Sequence, residues 1–193
     1  MIRIPPPIHA GDRIGVVAPA GPPNARLLRQ GADWLERRGY MVEMADGALS
    51  PQGYLAAPDR DRLQALNRML RKPEISAIWF ARGGYGSARL LEGIDFEAAR
   101  KLPKRWIGYS DVTALQLALL GKTGIASFYG PMVVELGQQP APFHLASLER
   151  ALDGGPYPAL RFPPGNVVRQ GRGAGQLVGG CLSLLCSLLG TPF

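Results

Sequence analysis

The sequence predicts an α/β fold: a parallel β-sheet with helices on both faces. Three features point there. Short apolar runs alternate with amphipathic stretches through residues 12–132. The runs are continuous rather than alternating, as in strands buried on both faces. Glycine- or proline-rich turns close several of them, and 25 Gly and 18 Pro favour many tight connections over long bundled helices.

The elements follow in order. DRIGVVAPA (12–20) is a strand stopped by Pro and Gly. PNARLLRQGADWLERRGY sets Leu27, Leu28, Ala32 and Leu35 at helical spacing, and Gly39 ends that helix. MVEMA (41–45) is a second strand. PDRDRLQALNRMLRKPE starts a helix at Pro58 and Asp59 and aligns Leu63, Leu66 and Leu70 on one face. ISAIWFARGGYGSARLLEGI reads as a strand (75–81), a glycine-rich turn and a helix. DFEAARKLP is a short helix ended by Pro103, RWIGYS a fourth strand, DVTALQLALLGKTG a helix and IASFYGPM a fifth strand.

After residue 135 the chain becomes rich in Pro and Gly, with one short helix near 143–152. Residues 1–165 are expected to form an N-terminal α/β domain. Residues 166–193 are expected to be a linker and the first segment of an incomplete C-terminal domain, whose apolar run GGCLSLLCSLLGTPF needs a partner to cover it.

Composition narrows the function. The 193 residues are 46% hydrophobic and 19% charged, which suits a packed core. The net charge of +7 favours anionic partners. Its basic residues are scattered through LLRQ, LERRG, DRDRLQ and RMLRKPE, without a Lys/Arg block interleaved with aromatics. They read as solvated helix faces, so a small anionic substrate is expected rather than nucleic acid. Cys181 and Cys186 lie five apart in an apolar run and read as core residues, not as a disulfide or metal pair. Three prolines interrupt the N-terminal MIRIPPPIHAG where a signal peptide needs an apolar segment. No apolar run reaches the ~20 residues of a membrane span. A cytoplasmic protein without membrane contact is expected.

Three loops leave the carboxyl ends of the predicted strands, the edge where open α/β sheets bind ligands: APAGPP, ARGGYGS and GYSD. Ser110 stands on the corner between the fourth strand and its helix. A serine there exposes its hydroxyl, and amides of the helix N-terminus can stabilise an oxyanion. GYSDV matches only the first half of the G-x-S-x-G elbow, with Val112 at the second glycine. The other reading is that Ser110 or Asp111 simply caps the helix, and the pattern alone favours the cap. RGGYG (82–86) could offer amides to a phosphate or oxyanion, or be an ordinary turn; it is neither a P-loop nor a dinucleotide fingerprint. The only histidines, His9 and His144, lie outside these loops, so no triad assembles from adjacent motifs.

Four segments in order resemble the LD-carboxypeptidase family, which also contains the microcin C self-immunity peptidases: GDRIGVVAPAGP (11–22), ARGGYGSARLL (81–91), WIGYSDVTALQLAL (106–119) with FYGPM (128–132), and GQLVGGCLSLLCSLLGTPF (175–193). The resemblance implies a Rossmann-like N-terminal domain, with an elbow like that of class I glutamine amidotransferases, and a smaller C-terminal domain. It implies a serine peptidase without metal or other cofactor, using a Ser-Glu-His triad. Ser110 would be the nucleophile, and the backbone amides of Asp111 and Gly84 the oxyanion donors. Gly83 and Tyr85 would contact substrate; Arg82 reads either as a partner for a substrate carboxylate or as a plain surface arginine, the more common case. The Glu and His would come from the second domain, beyond this chain, leaving the 193 residues alone inactive. The family often has Ser at Ala20, His at Tyr129 and Asn at Cys181, so substrate contacts are expected to differ there.

The function implied is release of the terminal D-Ala from muropeptide tetrapeptides during peptidoglycan recycling, by a homodimer when full length. Two alternatives stand beside it: hydrolysis of an aminoacyl-nucleotide amide, and a non-catalytic ligand-binding fragment.

Overall fold

The computed structural model describes residues 2–47, 51–138, 142–155 and 164–193. Five parallel strands form one sheet: β1 (Arg13–Val17), β2 (Met41–Met44), β3 (Ile75–Phe80), β4 (Arg105–Gly108) and β5 (Phe128–Tyr129), in the order β2-β1-β3-β4-β5. The predicted fold class holds.

The strands are apolar throughout because both faces are covered. Ile78 and Phe80 of β3 and Trp106 of β4 face a core built with α2 (Asp59–Arg71), α3 (Phe96–Lys101) and α4 (Thr113–Thr123). Ala77, Trp79 and Ile107 face the opposite core, built with α1 (Ala25–Glu36), α5 (Val133–Leu136) and α6 (Pro142–Asp153). Neighbouring residues of one strand thus bury against different helices, as the two-residue period requires. Burying a Phe or Leu at these places is worth about 1.5–3 kcal/mol.

Caps fix the helix starts. The Asn24 side chain accepts from the Leu27 N–H at 3.1 Å, and Asp95 accepts from Ala98 at 2.9 Å. Helix α2 has no side-chain cap, but Asp59 and Asp61 lie in its first turn and Arg68 and Arg71 in its last, matching the helix dipole.

Several local expectations change. The helix expected after the glycine-rich turn is present at residues 87–93, as a 3-10 helix. Gly86 opens this segment in the left-handed region and Asp95 caps α3, so only a short, tight coil fits between them. The fifth strand shortens to Phe128–Tyr129 because Ile125 instead bridges Arg3, whose N–H donates to Gly124 O at 2.8 Å.

Helix α7 (Leu182–Leu188) lies against α4 through Leu184 and Leu188, while Leu182 and Leu189 stay exposed. Cys181 is only partly buried and Cys186 is exposed, so neither is the core residue expected from an apolar run. Residues 165–180 are exposed, and apart from the 3-10 turn Pro164–Asn166 they carry no helix or strand. Among the described residues no helix is long and apolar enough to cross a membrane.

The strand order places the candidate loops. β1 lies between β2 and β3, so the chain leaves β1 in one direction for α1 and later crosses over β1 to reach β3. Loops at the carboxyl ends of β1 and β3 therefore meet at the point where the strand order reverses, the Gly21 N–H donating to Gly83 O. The β4 elbow lies beside it.

Candidate active site

Strand β4 ends at Gly108, Tyr109 stays extended, and Ser110 turns sharply with φ +61° before the 3-10 turn Ser110–Val112 leads into α4. Among the described residues it is the one non-glycine with positive φ. Such a conformation costs about 1–3 kcal/mol and persists only where neighbours enforce it.

Those neighbours are identifiable. Tyr109 donates its hydroxyl to Glu135, whose other oxygen accepts from the Met132 N–H at 2.9 Å. This bond to a carboxylate, with burial, pushes the Tyr109 phenol up to about 12, so it remains a donor. Tyr109 also packs edge-to-face on Tyr129 at 5.8 Å, and the Tyr129 oxygen lies 3.5 Å from the Ser110 N–H. Gln116 joins the ends of β4 and β5, donating to Gly108 O at 3.0 Å and Phe128 O at 3.1 Å.

The capping alternative fails. No side chain caps the 3-10 turn or α4. The Asp111 carboxylate instead accepts from the Ser87 N–H at 2.9 Å, and the Ser87 hydroxyl donates to the Asp111 carbonyl at 2.6 Å. Asp111 therefore couples the elbow to the glycine-rich loop. The Ser110 side chain is half-buried and its hydroxyl has no hydrogen-bond partner among the described residues.

The same loop approaches Ser110 from β3. A Cβ on Gly83 would lie 3.2 Å from Ser110 Cβ and 3.3 Å from its Oγ, so only glycine leaves room beside the hydroxyl. Gly84 has φ +123°, and its backbone packs against Gly21 of the β1 loop. The Gly21 N–H donates to Gly83 O at 3.0 Å, joining the β1 and β3 loops. Tyr85 is exposed and meets Tyr54 edge-to-face at 5.7 Å. Arg82 is exposed and donates to Pro22 O at 2.7 Å. The structure thus brings Ser110, Asp111, Gly83 and Gly84 together, with Tyr85 and Arg82 on the adjoining surface.

His9 lies elsewhere. Its N–H donates to Asp12, immediately before β1, which puts it at the amino edge of the sheet, opposite Ser110. His144 belongs to α6, and its side chain lies outside the described residues. No group of three or more His, Cys, Asp or Glu among the described residues could share a metal ion.

Sequence reasoning missed Arg62. It was placed with solvated basic residues, yet it is 2% exposed and lies on the core side of α2. The signal was its spacing: positions 62, 66, 69 and 70 form one helical stripe. The Tyr109–Glu135 pair left no comparable trace, because 26 residues separate the partners.

The fold and this corner define an α/β protein with a serine poised at a strand-to-helix elbow. The family model for the LD-carboxypeptidase N-terminal domain matches residues 14–130, and the chain belongs to this family of serine-type carboxypeptidases. It is 38% identical over 192 residues to the probable murein peptide carboxypeptidase of Bacillus subtilis (strain 168), covering 98% of this chain and 60% of that protein. It is 33% identical over 139 residues to the Microcin C7 self-immunity protein MccF of Escherichia coli, covering 69% and 40%. The crystal structure of muramoyltetrapeptide carboxypeptidase from Oxalobacter formigenes superposes with a TM-score of 0.79 at 28% identity, covering 93% of this chain and 60% of that one. The chain therefore spans about 60% of the first of these relatives.

Proposed function

We propose that this chain carries the nucleophile half of a cytoplasmic LD-carboxypeptidase that removes the terminal D-Ala from muropeptide tetrapeptides in peptidoglycan recycling. The observation that carries this reading is Ser110, a strained residue at the carboxyl end of β4 whose hydroxyl the glycine-rich loop after β3 approaches at Gly83.

Ser110 Oγ attacks the carbonyl joining the L-centre of diaminopimelate to D-Ala. The oxyanion forms between the Asp111 and Gly84 N–H groups. Because Gly83 O is held by Gly21, the trans peptide turns the Gly84 N–H to the opposite side, away from the β1 loop. Collapse of the tetrahedral species breaks the C–N bond, and D-Ala leaves as its amine. Water then hydrolyses the acyl-serine to the tripeptide carboxylate. Proton transfer in these steps needs a Glu and a His, which the family resemblance assigns to residues outside these 193. On this reading Arg82, exposed beside the loop, would pair with a substrate carboxylate, and Gly83 and Tyr85 would contact the peptide. The full-length protein would work as a homodimer.

The test incubates the full-length protein with L-Ala-D-Glu-meso-diaminopimelate-D-Ala and follows tripeptide and D-Ala by mass spectrometry. Ser110→Ala should lower the rate by several orders of magnitude. Absence of release by the wild type, or undiminished release by the variant, rejects the assignment.

The exposed Tyr54–Tyr85 pair favours a second reading, an aminoacyl-nucleotide amide whose base stacks on these rings. Cleavage of such an amide but not of the tetrapeptide would select it.

A further inference from the structure

Arg62 is the one fully buried arginine on α2, and its guanidinium reaches three separate stretches of chain. Nε donates to Ala57 O at 2.9 Å, ahead of α2. Nη1 donates to Gly86 O at 3.0 Å, at the end of RGGYG, and also to Pro19 O in the β1 loop. Nη2 pairs with the Asp59 carboxylate, which also binds Arg89. All three guanidinium nitrogens are therefore engaged. A planar fork of five N–H donors can hold carbonyls in fixed relative directions, which a lysine ammonium on a flexible stem does not.

The fork completes a set of anchors on one loop. Gly83 O is held by Gly21, Gly86 O by Arg62, and the Ser87 N–H and hydroxyl by Asp111. Gly84 and Tyr85 lie between these anchors. The direction of the Gly84 N–H depends on its peptide plane keeping its orientation, and two glycines with positive φ, Gly84 and Gly86, give that segment little stiffness of its own. Arg62 and Arg89 share the single Asp59 carboxylate, which ties the buried fork to the 3-10 helix after the loop.

We propose that Arg62 is a positioning residue of the active site: its buried guanidinium holds the Gly83–Ser87 loop so that the Gly84 N–H is preset toward the oxyanion. The inference rests on the reading of Ser110 as nucleophile. It predicts a specific kinetic signature. Loss of preorganisation weakens transition-state stabilisation and leaves ground-state contacts to the peptide in place.

The experiment uses the full-length protein with Arg62→Lys, which keeps the charge and loses the fork, and Arg62→Met, which loses both. Hydrogen exchange of the Gly21, Ser87 and Arg89 amides, whose bonds tie down the loop, is measured beside kcat and KM on the tetrapeptide. For Arg62→Lys, exchange at these three amides should quicken at least ~10-fold while β1, β3 and β4 keep their protection, and kcat should fall ~10–100-fold with KM within about twofold. Arg62→Met should exceed both effects. Unchanged exchange at these three amides, or a rise in KM with kcat intact, overturns the inference. An inactive wild type overturns the Ser110 reading, and the exchange data then decide separately whether Arg62 holds the loop.

Discussion

Asp111 engages Ser87 twice, through its carboxylate and through its own carbonyl, and Ser87 is fully buried. Water cannot replace a partner removed there. Asp111→Ala should therefore destabilise the protein by about 1–3 kcal/mol, the cost of leaving the Ser87 N–H unpaired. Asp111→Asn keeps an acceptor oxygen of the same reach and should lose less than half as much. Urea unfolding of both variants checks this, and equal losses would mean that the carboxylate acts by its charge rather than as an acceptor. This atom-level role was not legible beforehand. The sequence offered Ser110 and Asp111 as helix caps, the commonest use of such residues before a helix. A contact to Ser87, 24 residues earlier, depends on β3 and β4 being neighbours.

At the amino end of β4, Lys104 is 3% exposed and its ammonium donates to Lys72 O and Ile75 O, each at 2.7 Å. Burial lowers it to about 8, against the opposing pull of Glu74. The unfolded chain, with an ordinary lysine near 10.4, binds more protons between these values. Stability from this group is thus lost as pH falls through 8 and recovered as pH rises toward 10.4. From pH 8 to 9.5 the wild type should gain stability relative to Lys104→Met, measured by denaturant unfolding across that range. Parallel curves would show that Lys104 is not depressed. Tyr109 does not confuse the test, because its raised titration acts at higher pH. Element prediction succeeded where pattern alone decides, as in the apolar runs of β1, β3 and β4. It failed where a distant partner intervenes: Arg3 drew Ile125 out of the fifth strand.

Across the whole molecule, order is unevenly distributed. The sheet and its two cores occupy residues 8–136 with parts of α6 and α7, whereas residues 165–180 are exposed and nearly free of regular structure. Limited trypsin digestion should cut first after Arg169 or Arg172, before any site in α1–α5. Earlier cleavage within α1 or α2 would contradict this, and gel and mass analysis of the first fragments decides. The global fold was the most legible level, since alternation of strand and helix survives local errors. The site was half legible: motif order singled out Ser110, Gly83 and Gly84, but Arg62 hid among surface-type charges until its neighbours were placed.

The two-residue length of β5 bears on self-association. The last strand of an open sheet is where a foreign strand can add, and long flat edges invite aggregation. Phe128–Tyr129 is too brief to template such growth, and the Arg105 guanidinium sits 4.6 Å from the Phe128 ring. Among the described residues, β5 is the last strand on this side. A substitution that extended regular pairing through Ile125 would lengthen that edge and raise the protein's tendency to form fibrils.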